Sequence, residues 1–144
     1  MVDVTPKAAT ERTARARGFV RMSPEVLQAL RRHTLPKGNP FEIARIAGIS
    51  AAKRTSEWIP LCHPLPLTRI DVTARLCKNG VEITSRVTAT AQTGVEMEAL
   101  VAVSAAALTV YDMCKALDKA MEITDVVLLE KIGGKSGHYL RRKK

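Results

Sequence analysis

The chain predicts an α+β fold in which an antiparallel sheet carries its helices on one face, and two observations lead there. Ile70, Val72, Ala74 and Leu76 alternate with polar residues, as do Val81, Ile83, Ser85, Val87 and Ala89 after them, with Asn79-Gly80 in between. Asn-Gly favours the left-handed conformations of a tight hairpin turn, so the two runs are adjacent antiparallel strands with one wet face. Next comes a stretch from Gly94 to about Leu117 without proline and rich in small residues from Ala99 to Ala107, which reads as one long helix buried on most sides.

The remaining elements follow in order. Residues up to about Gly18 are polar and expected to be extended or partly mobile, leading into a short strand at Phe19-Val20-Arg21-Met22. Ser23-Pro24-Glu25 opens a helix to about Arg32, with a capping serine and a proline in the first turn. His33 to Gly38 is a loop. A second helix opens at Asn39-Pro40, with Asn39 as cap, Glu42 placed as in a capping box, and an apolar face including Phe41, Ile43, Ile46 and Ala47. After the hairpin and the long helix, Ile123 to Leu129 is the last strand and Gly133 to Gly137 a flexible loop; residues 139–144 are expected to be a solvated tail. Strand, helix, strand, strand, helix, strand is the βαββαβ order of a ferredoxin-like sandwich. Such a sheet leaves one face to water or to an oligomer partner.

At 144 residues the chain is a single domain, 1–144, able to bury one core without disulfides or metal. With 46% apolar and 26% charged residues it is globular, and its longest apolar run is broken by Ser104 and Thr109 short of a membrane span. The start lacks the basic and apolar regions of a signal peptide, and Cys62, Cys77 and Cys114 are odd in number and scattered, so the expected home is the cytoplasm. A formal net charge of +9 suits an anionic partner.

Several constellations could carry chemistry. Gly134-Lys135-Ser136 ends like a nucleotide-binding P-loop, but the opening glycine would fall on Leu129 and no helix follows. What remains is Lys135 on a glycine-rich loop, either a phosphate contact or a surface lysine. Cys62 and His63 stand side by side between Pro60 and Pro64; adjacent ligands lack zinc-site spacing, and no metal is expected. Asp112 and Lys115 share a helix face, as a stabilising ion pair or as an acid–base pair in which Lys115, if buried, could lose and Asp112 accept a proton. Glu96 and Glu98 suit a helix start, but two positions apart they should point in very different directions.

Together these segments resemble the MoaC family, the cyclic pyranopterin monophosphate synthases of molybdenum cofactor biosynthesis. The resemblance rests on Met1 to Val4, Lys37-Gly38, Ala44 to Ile49, Ala51 to Thr55, Pro60 to Leu65, Thr93 to Leu100, Tyr111 to Ala116 and Gly133 to Gly137. It implies a ferredoxin-like subunit in a homohexamer, a trimer of dimers with active sites at the dimer interface. It also implies rearrangement of a cyclised dihydroguanosine triphosphate, made by a radical GTP cyclase, into cyclic pyranopterin monophosphate with loss of pyrophosphate. No cofactor is required by it, and magnesium is left open as a companion of the triphosphate. By motif it makes Asp112, Lys115 and Lys37 catalytic, and Leu61, Cys62, His63, Glu96, Met97, Glu98 and Lys135 substrate contacts, with Lys53 and Arg54 weaker ones. Asn39 departs from the aspartate usual after Lys-Gly in the family; it keeps the cap and drops a charge.

Two other functions compete. An RNA-binding sheet would need stacking aromatics, which the hairpin lacks and which are 3% of the chain. A non-catalytic ligand-binding regulator on the same fold is opposed by the acid–base residues gathered around one helix. No membrane role is expected.

Overall fold

A computed structural model describes residues 1–142; Lys143 and Lys144 of the expected tail lie outside the described residues. Strands β1 (Thr10–Arg21), β2 (Leu67–Leu76), β3 (Gly80–Ala91), β4 (Glu122–Ile132) and β5 (Tyr139–Leu140) form one antiparallel sheet in the order β2-β3-β1-β4-β5. The helices are α1 (Pro24–Arg32), α2 (Pro40–Ala52), α3 (Thr55–Trp58) and α4 (Glu96–Cys114). The α4 helix packs across β1, β3 and β4, while α2 packs on α4 and β2. This is the ferredoxin-like α+β plan, extended by one short edge strand.

The first strand starts nine residues before the expected Phe19 and is central, paired with β3 on one side and β4 on the other. Residues 10–17 are therefore strand, not a mobile lead. Their core-facing residues are Ala14, Ala16 and Gly18, so the alternation carries almost no hydrophobic signal. Smallness is required there: a Cβ on Gly18 would lie 2.5 Å from Val103 Cγ1 of α4. At the other end of the chain, Tyr139 and Leu140 pair with Lys131 and Glu130 as β5, where a mobile tail was expected. The last long strand also outruns the expected Ile123 to Leu129 at both ends, and α3 has too few residues to show a period.

The hairpin is present, for a different reason than left-handed turn residues. Asn79 and Gly80 both keep negative φ, and Cys77 N donates to Gly80 O at 2.8 Å. Gly80 is needed for close approach, since a Cβ there would come within 2.2 Å of Val20 O and 2.5 Å of Phe19 Cε1. Gly80→Ala is expected to cost about 1–3 kcal/mol, because a backbone oxygen cannot move aside as a flexible side chain would. Urea denaturation checks this; an unchanged midpoint would mean the strands separate freely.

Ser23 caps α1 through Val26 N and Asn39 caps α2 through Phe41 N, both as expected. Glu42 does not close a capping box; it pairs with Arg45 at 3.0 Å. Among the described residues α4 is the one helix long and apolar enough to cross a membrane by length and composition. Eleven of its 19 residues are buried against the sheet and α2. Its polar members are satisfied locally: Ser104 and Thr109 donate to Leu100 O and Ala105 O, and Ser85 of β3 donates to Ala99 O. A helix held on so many sides is a rigid rod, and both clusters of functional side chains lie at its ends.

Candidate active site

At the C-terminal end of α4, Asp112 is gripped by two ammonium groups. Lys37 Nζ lies 2.6 Å from Oδ2 and Lys115 Nζ 2.6 Å from Oδ1. Lys115 arrives by helical spacing, whereas Lys37 comes from the α1–α2 loop and also donates to Asp112 O at 3.3 Å. The hydrogen bonds from Lys115 and then Lys37 hold the Asp112 carboxyl down to about 2. The same bond to Asp112 pushes the Lys115 ammonium up.

These directions correct the expected roles. Lys115 is not a buried amine resting deprotonated, because all three side chains are about half exposed and the carboxylate favours the ammonium. Asp112 is a fixed anion. The cluster holds two cations in place on one carboxylate.

The N-terminal end of α4 is built differently. A cavity of about 310 Å³ is bounded by Leu61, Cys62 and His63, by Glu96, Met97 and Glu98, and by Val2, Val4 and Lys7 of the N-terminal segment. Contrary to the expectation that Glu96 and Glu98 diverge, both line this cavity. Glu98 is 3% exposed and also borders a smaller cavity of about 60 Å³ with Lys53, Thr55, Ser56 and His63. Burial pushes the Glu98 carboxyl up to about 7, its own backbone N–H opposes this, and neighbouring Glu96 raises it further. Burial and then the Glu98 charge also push the Cys62 thiol up, so Cys62 is no thiolate nucleophile here.

Glu96 is held by Lys131 of β4 at 3.3 Å, and Lys131 in turn donates to Ser136 Oγ at 2.8 Å. Lys131 and Lys7 are site residues that sequence reasoning missed: one looks like an ordinary strand lysine, the other sits in a segment without pattern. The Gly133-Gly134 pair, with φ of 97° and 79°, brings the Lys135 loop over β1; a Cβ on Gly134 would strike Arg12 Nη1. Arg12 is itself tied to Ala91 O and Gln92 O just before α4. Lys135 thus stands, exposed, on a loop joined through Ser136 and Lys131 to the Glu96 end.

Lys53 and Arg54, adjacent in sequence, part company. Lys53 goes to the Glu98 and His63 side. Arg54 pairs with Glu57 at 2.9 Å and borders a groove of about 480 Å³ with Trp58, Leu108 and Asp112. Among the described residues, no three His, Cys, Asp or Glu side chains converge as a metal site.

Glu98 makes a measurable pH signature. Its folded pKa of about 7 lies above its unfolded 4.5, so the folded state binds the extra proton and stability is lost as pH rises from about 4.5 to about 7. Glu98→Gln should therefore be more stable than wild type at pH 8, by about 3 kcal/mol, with the gap closing below pH 4. Denaturation across that range tests the sign; a gap that is constant with pH would place the charge in solvent.

A rigid helix bearing a buried acid whose pKa is pushed up at one end and an ammonium–carboxylate–ammonium cluster at the other defines an α+β protein with an acid–base group and concentrated positive charge at opposite ends of one helix. The MoaC family model matches residues 1–134, and the chain belongs to that family. It is 56% identical over 145 residues to a cyclic pyranopterin monophosphate synthase from Heliobacterium modesticaldum (strain ATCC 51547 / Ice1), covering 99% of this chain and 91% of that protein.

Proposed function

We propose that the protein is a cyclic pyranopterin monophosphate synthase of molybdenum cofactor biosynthesis, a phosphorus–oxygen lyase that converts a cyclised dihydroguanosine triphosphate to the cyclic monophosphate and pyrophosphate. The observation that carries this beyond family membership is Asp112 clamped between Lys37 and Lys115. In forming the cyclic phosphate, a substrate hydroxyl oxygen attacks the innermost phosphorus, and the bond from that phosphorus to the departing pyrophosphate breaks. Ammonium groups stabilise that leaving group, and an ammonium proton can neutralise it. Opening and closing the purine-derived rings also requires a group that both gives and takes protons near neutrality. Glu98, at about 7 in its cavity, fits that need. Leu61, Cys62, His63 and Met97 shape the ring pocket, while Glu96 positions Lys131 and through it the Lys135 loop.

The substrate is supplied by a radical GTP cyclase and no redox cofactor is needed, while magnesium travels with the triphosphate if at all. The working form is a homohexamer, a trimer of dimers. Its dimer contact is supported by exposed apolar side chains on the helices: Ile43, Ile46, Trp58 and Leu108 are each about half exposed, and Trp58 and Leu108 line a groove that runs to Asp112. All three cysteines are free thiols, which supports a reducing, cytoplasmic setting. Purified protein incubated with the cyclised triphosphate should release pyrophosphate over many turnovers without added redox cofactor. Stoichiometric binding without turnover would make it a regulator.

A further inference from the structure

The face of the sheet turned away from the helices carries positive charge that neither end of α4 uses. The alternation of β1 that sends Ala14, Ala16, Gly18 and Val20 to the core sends Arg15, Arg17, Phe19 and Arg21 to this face. Most arginines there are answered by a carboxylate. Arg69 pairs with Asp71 at 2.6 Å, Arg75 with Glu82 at 2.8 Å and Arg21 with Glu122 at 3.5 Å.

Arg17 is different. Its Nε is buried and, among the described residues, has no hydrogen-bond partner. A buried donor without an acceptor is costly, so the position wants a ligand or a partner. Arg86 of β3 stands across from Arg15 on one side and from Asp71 of β2 on the other, and Asp71 is already engaged by Arg69. The β1–β4 ladder also shifts register between Arg15 and Ala16 and again between Arg17 and Phe19. Such bulges re-aim side chains and open an edge. The result is a groove of about 570 Å³ where Arg15, Arg17, Arg141 and Arg142 face two acids, Asp125 and Glu130. Glu130 is already engaged by Arg15 at 3.3 Å and His138 at 2.9 Å. Positive charge is left over.

We propose that this groove binds a polyphosphate anion, at a site separate from both ends of α4. Guanidinium groups recognise phosphate oxygens through paired N–H donors, and Arg15, Arg17, Arg141 and Arg142 all line the groove that would receive them. A compact anion fits better than an extended acidic segment, which would run into Asp125 and Glu130. Inorganic pyrophosphate and the triphosphate of a nucleotide share this chemistry. The inference rests on the open face alone and does not depend on which reaction the protein catalyses.

Calorimetric titration of the intact protein with pyrophosphate, GTP and poly-glutamate tests it, using wild type, Arg17→Ala/Arg141→Ala and Lys37→Ala/Lys115→Ala. The arginine variant should lose at least tenfold in polyphosphate affinity at one class of site, and the lysine variant should keep that class. Equal losses for pyrophosphate and GTP identify the polyphosphate group itself as the ligand; a loss confined to GTP identifies a nucleotide. Arg17→Lys/Arg141→Lys, which preserves the charge, should lose less, and it stands in if the alanine variant does not fold. Unchanged polyphosphate affinity overturns the proposal, as does tighter binding of poly-glutamate than of pyrophosphate. A change in oligomer size with polyphosphate binding intact also overturns it, by making this face a contact between copies.

Discussion

Lys115→Met is expected to lower turnover by about a hundredfold or more while leaving the folding midpoint close to wild type. The two readouts separate because the geometry separates them. Lys115 and Asp112 are both half exposed, and ion pairs in solvent add little to stability. A positioned proton donor, by contrast, typically contributes a factor of about a hundred to ten thousand to the chemical step. Asp112→Asn should fall in the same direction through a different route. It leaves Lys37 and Lys115 without the anion that aims them, and the hydrogen bond that raises Lys115 weakens. The pH profile distinguishes the groups further. Asp112 is ionised down to about 2, so it cannot produce a bend near neutrality, whereas Glu98 titrates at about 7. Any such bend should vanish in Glu98→Gln and persist in Asp112→Asn. If Lys115→Met unfolds readily yet turns over at a near-normal rate when folded, the pair is structural.

What could be seen in the residues depended on how far each feature reaches along the chain. Asp112 and Lys115 are legible because helical spacing alone makes them neighbours. Lys37 is not, since it meets Asp112 from 75 residues away, and only the family resemblance pointed to it. The protonation of Glu98 was equally hidden. Its shift comes from burial beside a cavity walled by Leu61 to His63 and the N-terminal segment, which no local pattern encodes. The hairpin was legible from alternation, yet the reason for Gly80 was not, because the atoms it avoids belong to β1. That same strand was half lost for a related reason. A core face of alanine and glycine is chosen to let α4 approach, and smallness does not register as hydrophobicity.

The second large effect concerns who completes the site. Along α4 at about 1.5 Å per residue, Glu98 and Asp112 stand about 21 Å apart, and successive turns of about 100° per residue bring them to nearly the same side of the helix. One compact reaction centre cannot take both from one subunit. A second subunit related by a twofold axis, its α4 antiparallel to the first, would bring the Asp112 end of one beside the Glu98 end of the other. The half-exposed Trp58 and Leu108 border the groove leading to Asp112, where such a contact would form. The alternative is an extended triphosphate nucleotide lying along a single helix and touching both ends. Mixing inactive variants decides between them. Glu98→Ala and Asp112→Ala, each inactive alone, are unfolded together in equal amounts and refolded. Random pairing across a twofold interface makes half the dimers mixed, and each mixed dimer holds one intact site and one doubly defective site. A shared site therefore returns about a quarter of wild-type turnover. Mass measurement must first establish that mixed oligomers have formed. If they have and turnover stays at the level of the separate variants, each subunit carries its whole site and the shared arrangement is wrong.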